Sequence, residues 1–170
     1  MKLKTEHIFG IVSGISVCIL VMVAHFAGYY TTKIDSGKFL GTCFLIIPIL
    51  YIIVGIYVKK TRELDGYLEL KDGLKTGIII SFINGIITTV FLLFYFKYIN
   101  PDYFPRYIVY ETKVMTDMGK TPEQIKELLD QFKAGQSLGM QLLSGILITP
   151  LFGMIPSLIV TLILKKSRVQ

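Results

Sequence analysis

The chain has 170 residues, 52% of them hydrophobic, with a mean hydropathy of +0.60. Only 18% are charged, against roughly 25% in an ordinary soluble domain, and the charges gather in a few short segments, which excludes a typical soluble fold and points to a membrane protein. The net charge of +6 is not a nucleic-acid signal, because no basic patch alternates with aromatic residues on a soluble face.

The first apolar run covers about residues 8–30 and follows Lys2 and Lys4. It is longer than a signal-peptide core, and a cut after Ala27 would put bulky His25 where a small residue is required, so it reads as an uncleaved span. A short outer turn, Thr31–Lys38, leads to a second run at about 39–58. The loop KKTRELDGYLELKDGLKTG then leads to a third run at about 76–96. Tyr67, Leu68, Leu70 and Leu74 suggest that this loop lies on the membrane interface, with a plain solvated linker as the alternative. A fourth run covers about 138–164.

Each run meets the roughly 20-residue length needed to cross ~30 Å of hydrocarbon. Lipid offers the backbone no hydrogen-bond partners, so helices are expected; the runs are too long and unbroken for barrel strands. The expected fold is all-α, a four-helix transmembrane bundle forming one integral membrane domain over residues 1–170.

Runs three and four are separated by a segment that carries the marks of a helical hairpin, about residues 99–134. Asn100-Pro101-Asp102 reads as a turn and helix start. Phe104, Tyr107, Ile108, Val114, Met115 and Met118 keep a helical stripe, and Gly119 is a candidate C-cap. In TPEQIKELLDQF, Thr121 can cap, Pro122 fits the first turn and Gln124 stands at the capping-box position. Ile125, Leu128, Leu129 and Phe132 then form a second apolar stripe. The two stripes can bury each other, lie on the membrane surface or meet a partner; the pattern leaves these three open. With Lys97 just before it, the segment 97–137 carries six basic and six acidic residues and is neutral.

The basic residues set the orientation. Lys59-Lys60 and Lys165-Lys166 directly abut the second and fourth runs. By the positive-inside rule both termini belong in the cytoplasm and the hairpin on the extracytoplasmic side.

Small residues mark the helix-packing candidates, since lipid removes the hydrophobic drive between helices. Gly145, Thr149, Gly153, Ser157 and Thr161 follow one another at four-residue spacing in the last run. Gly10 and Gly14 repeat that spacing in the first run, and Gly77, Ser81 and Gly85 in the third. Whether the last run meets a helix of this chain or of a second copy is open at this stage.

Polar groups within the runs are few. Asn84 lies inside the third run, where an interhelical hydrogen bond is the simplest role and solute binding the sharper one. His25 stands near the outer end of the first run, as an interfacial side chain or a proton site. Cys18 and Cys43 fall at different depths and read as two free thiols. No metal-ligand cluster, nucleophile motif, phosphate loop or CxxC pair is present, so neither an enzyme nor a cofactor is expected.

Inner GYLELKDGLKTG, NPDYF after the third run and MGKTPEQIKELL before the last together resemble an uncharacterised, domain-of-unknown-function family. Its members are small four-span inner-membrane proteins of certain Gram-negative bacteria. The resemblance implies that topology and location but no reaction, ligand or site residue. The function expected is a non-enzymatic accessory or scaffold protein acting through helix packing and protein contacts in the lipid bilayer. Its partner would be a second copy or another membrane protein. The alternative is a small-solute transporter or channel subunit.

Overall fold

A computed structural model describes residues 4–34 and 38–166, with the side chains of all but 38–41. Lys2, Arg168 and part of the turn Thr31–Lys38 lie outside the described residues. The helices in chain order are α1 (Thr5–Phe26), α2 (Lys38–Arg62), α3 (Leu70–Phe94), α4 (Tyr103–Asp117), α5 (Pro122–Gly135), α6 (Leu138–Leu143) and α7 (Thr149–Leu164). Two π-helical turns extend them: Tyr95–Ile99 prolongs α3, and Ser144–Ile148 joins α6 to α7. The fold is all-α. Among the described residues, four rods are long and apolar enough to cross a membrane: α1, Thr42–Arg62 of α2, Leu70–Ile99 and Leu138–Leu164.

The rods are built in the manner of membrane helices. Along α1 the buried side chains are small or medium-sized, including Gly10, Ser13, Gly14, Val17 and Ala24. Ile11, Ile15, Ile19 and Val23 of the same helix are exposed, as are Leu158, Leu162 and Ile163 of α7. Large apolar groups on the outside and small ones inside invert the pattern of a soluble core. It is the arrangement lipid favours, because bulky chains gain nothing by leaving hydrocarbon while small ones let backbones approach.

Helix ends follow local chemistry. The first rod stops at Phe26 rather than near residue 30, because Gly28 takes φ +85° and closes a Schellman motif. Its two bonds run from Tyr29 N to Ala24 O at 3.0 Å and from Gly28 N to His25 O at 2.9 Å. Gly119 ends α4 in the same way with φ +76°. Thr121 and Gln124 form the reciprocal capping box at the start of α5.

The loop between α2 and α3 is shorter than its charge pattern suggests. Helix α2 continues through Lys59-Lys60 to Arg62, and α3 begins at Leu70. Leu68 is not on the membrane interface. It is 1% exposed, packed with Ile52, Ile56, Ile80 and Val160, and its backbone pairs in both directions with Lys166 at 3.0 and 3.2 Å. A leucine that fills the gap between helix ends buries more apolar surface than one laid on a headgroup layer.

Helix α3 is central, touching α1, α2 and α7. Against α7 it forms an antiparallel ladder of small residues in which Gly73 meets Thr161, Gly77 meets Ser157, Ser81 meets Gly153, and Gly85 meets Gly145 and Thr149. The hydroxyls of Ser81, Ser157 and Thr161 bond back to carbonyls of their own helices. The ladder is therefore held by close packing rather than by hydrogen bonds between helices. On another face of α3, Ile83 and Ile87 fit over Gly10 and Gly14 of α1, with Cβ approaches of 2.8 Å for any side chain added there.

Candidate functional site: an uncharged cleft between α2 and α7

Helices α2 and α7 touch near Lys60, where Ile52, Ile56 and Val160 share the core. Towards Phe44 and Ile148 they diverge, leaving a cleft of about 740 Å³. Leu45, Pro48 and Ile49 form one lip, and Phe152, Ile155 and Pro156 the other. Leu45, Phe152 and Ile155 are each more than half exposed, so the lips face the surroundings of the helix bundle. The back wall comes from α3, with Ser81, Asn84, Gly85, Thr88 and Thr89, and from Val17 and Val21 of α1. Tyr30, Tyr103 and Gln136 stand at the mouth, so the α4–α5 pair roofs it. No charged side chain lines the cleft among the described residues. Its volume falls within the ~300–1,000 Å³ of small-molecule sites.

Asn84 is 4% exposed. Ser13 Oγ of α1 donates to its Oδ1 at 3.1 Å, joining α1 to α3. Its amide nitrogen has no partner among the described residues. Thr88, one turn further on, has a buried hydroxyl with no hydrogen bond, although Thr76 and Ser81 of the same helix bond back to the preceding turn. Unpartnered polar groups at such positions cost free energy, and both stand on the cleft wall.

The roof is aromatic. Phe132 of α5 stacks on Tyr107 of α4 at 5.0 Å, Tyr107 on Tyr103 at 5.8 Å, and Tyr103 on Phe96 at 5.1 Å. The α4 and α5 stripes are thus partly turned on each other, with Ile125 buried and Leu128 37% exposed. Burial raises the phenol pKa of Tyr30 and Tyr103, and raises that of Tyr107 to about 12, with Glu111 adding to the last. These three phenols are therefore neutral at physiological pH.

Polar networks close the two ends of the bundle. Near the mouth, His25 Nδ1 lies 2.8 Å from Tyr95 Oη, and Asn100 Nδ2 donates to that oxygen at 3.2 Å and to Tyr30 O at 3.0 Å. Arg106 Nη2 donates to Asn100 Oδ1. His25 is thus a member of a partly buried network rather than a side chain directed only at water. At the far end Lys59 Nζ pairs with Glu6 Oε2 at 2.7 Å, with Glu63 at 3.9 Å. Lys60 caps the α7 carbonyl of Leu164 at 2.9 Å.

The small-residue candidates lie as follows. Gly145, Thr149, Gly153, Ser157 and Thr161 face α3, where Gly77, Ser81 and Gly85 receive them, and Gly10 and Gly14 face Ile83 and Ile87. Asn84, Ser81, Gly85, Gly145, Thr149 and Gly153 also line the cleft; His25 does not. Sequence reasoning missed Glu6, which is 2% exposed, together with Tyr95, Asn100 and Arg106. The signal for Glu6 was its place in the first turn of a helix starting at Thr5, three residues before the assumed boundary. Cys18 and Cys43 are free.

These features define a class: a multi-pass helical membrane protein with an uncharged side cleft roofed by a helical pair. Within that class the chain belongs to the family described as "Protein of unknown function (DUF4199)", whose model matches residues 8–166. No curated protein and no solved structure matches it.

Proposed function

We propose that this is a non-enzymatic accessory or scaffold protein of a bacterial inner membrane, acting through non-covalent contact. Both termini are cytoplasmic in this reading, following the basic residues beside the second and fourth spans, and α4 and α5 lie on the opposite face. The observation that carries the reading is the cleft, an open and uncharged surface where α2 and α7 part over a wall formed by α3. The small-residue face of the last rod does not serve as the contact surface, because α3 of the same chain occupies it. His7 and His25 stand at opposite ends of α1, roughly 27 Å apart at 1.5 Å per residue, which does not favour their joint use in catalysis.

The test is photo-crosslinking in native membranes from a reactive residue placed at Leu45, Phe152 or Val109, all strongly exposed. Contact action predicts a discrete adduct from at least one position; a smear of lipid products from all three would refute it. A cysteine placed at Lys120 checks the topology. It should react with an impermeant reagent added from outside the cytoplasm.

A second reading, a small-solute transporter or channel subunit, draws support from Asn84 on the cleft wall. The uncharged lining restricts it to neutral solutes, since an ion would be stripped of water without a counter-charge. Solute flux in proteoliposomes that falls with Asn84→Leu would favour transport over contact.

A further inference from the structure

We propose that the cleft between α2 and α7 binds one uncharged amphipathic molecule whose carbonyl oxygen accepts a hydrogen bond from the Asn84 amide. This deepens the contact reading above and rests on the cleft being a working surface.

Three observations converge on that chemistry. The cleft has room for a ligand of about 740 Å³, and its lips are apolar and open sideways, so a ligand can enter from lipid without crossing water. The lining holds no charge among the described residues. A carboxylate or ammonium would therefore be desolvated without compensation, which selects against fatty-acid anions and amines. Finally, Asn84 offers an unused donor: its Oδ1 already accepts from Ser13, while its amide nitrogen has no acceptor among the described residues, in a side chain only 4% exposed. What such a donor lacks is an acceptor, and a carbonyl is the acceptor a neutral membrane-soluble molecule carries. Thr88, with its own buried and unpartnered hydroxyl, marks the same wall as incompletely satisfied by the protein alone.

Two kinds of molecule share this chemistry, membrane-soluble quinones and diacylglycerols, and the experiment separates them. The full chain, in nanodiscs of phosphatidylcholine, is equilibrated with a decyl-substituted benzoquinone in one arm and dioleoylglycerol in the other, with oleate as the charged comparator. Bound ligand per protein is counted by mass spectrometry after separation from empty discs. Saturation near one molecule per chain in either neutral arm is expected, and the arm that saturates names the source. Asn84→Leu should weaken binding by about tenfold, the loss of one buried hydrogen bond. Ile155→Trp, which fills the cleft from its exposed lip, should abolish binding. Val23→Trp, on the exposed side of α1, should not change it.

Uptake that rises in proportion to added ligand, equal binding by Asn84→Leu and Ile155→Trp, or equal retention of oleate would each overturn the proposal. If Asn84→Leu does not fold, Ile155→Trp against Val23→Trp still decides it. A discrete protein crosslink with no saturable amphiphile would leave the contact reading standing while removing this ligand.

Discussion

Gly85 of α3 lies directly against the backbone of Gly145, in the π-helical turn that leads into α7. A Cβ on Gly85 would overlap the Gly145 carbonyl oxygen, and one on Gly145 would overlap Thr89 Oγ1. Backbone cannot rotate aside as a side-chain end can, so this crossing sets the distance between the two rods at the back wall of the cleft.

The first expectation follows from that crossing. Gly85→Ala should destabilise the protein by ~1–3 kcal/mol, the usual cost of forcing extra volume into a closed contact. Gly139→Ala, with nothing within 4 Å of the added group, should stay within about 0.5 kcal/mol of wild type. Thermal unfolding of both variants in the same detergent makes the comparison. Equal melting temperatures would mean that the rods do not approach as closely as described.

The ion pair at the other end gives the second. Lys59→Met strands Glu6, which is 2% exposed, and should cost about 3–5 kcal/mol. The double variant Glu6→Gln/Lys59→Met should recover most of that loss, because the expensive species is the unpaired charge. Thermal unfolding of the single and double variants reads this directly; a double variant no better than the single one would contradict it.

Glu63 supplies a pH dependence. Its carboxyl is held below the ordinary 4.5 mainly by the Thr5 hydroxyl, reinforced by the Thr5 backbone N–H and by Lys59, with burial opposing. A folded-state value below the unfolded one means that the stabilisation is complete above about pH 4.5 and is lost as pH falls through the lowered value. The melting temperature of wild type should therefore drop more steeply below about pH 4.5 than that of Glu63→Gln. Parallel curves would show that Glu63 makes no such contribution.

The network beneath the roof can be broken at one atom. Tyr95 is fully buried, and its hydroxyl joins His25 to Asn100. Tyr95→Phe keeps the ring and removes the oxygen, taking the partner from His25 Nδ1 and leaving Asn100 Nδ2 with its bond to Tyr30 O alone, for ~1–3 kcal/mol. Hydrogen exchange of the Asn100 and Tyr103 amides should quicken with it. Unchanged exchange there would assign the loss to packing elsewhere.

Thr121→Ala removes the α5 cap, in which Gln124 N donates to Thr121 Oγ1 at 3.4 Å. The cost should be about 1 kcal/mol and local, seen as roughly fivefold faster exchange in the first turn of α5. An effect spread over α3 and α7 would contradict the local account.

Much of the architecture is present in the chain as a string. Four apolar runs become four rods because a backbone in lipid must satisfy its own hydrogen bonds over a fixed thickness. Thr121, Gln124 and Gly119 determine helix ends through bonds to residues three to five positions away. The periodicity of Gly145 to Thr161 likewise identifies a close-packing face, because four-residue spacing returns to one side of a helix.

What a face meets is another matter, and only the tertiary structure decided it. Spacing alone fits α3 of the same chain or a second copy equally well. Ser13 finds Asn84 across 71 residues, and Lys59 finds Glu6 across 53. Leu68 is core because Ile80 and Val160 converge on it, not because of its charged neighbours. The cleft belongs wholly to this second kind. It exists where α2 and α7 diverge, and the space between two helices is a property of their crossing, which neither helix carries in its own residues.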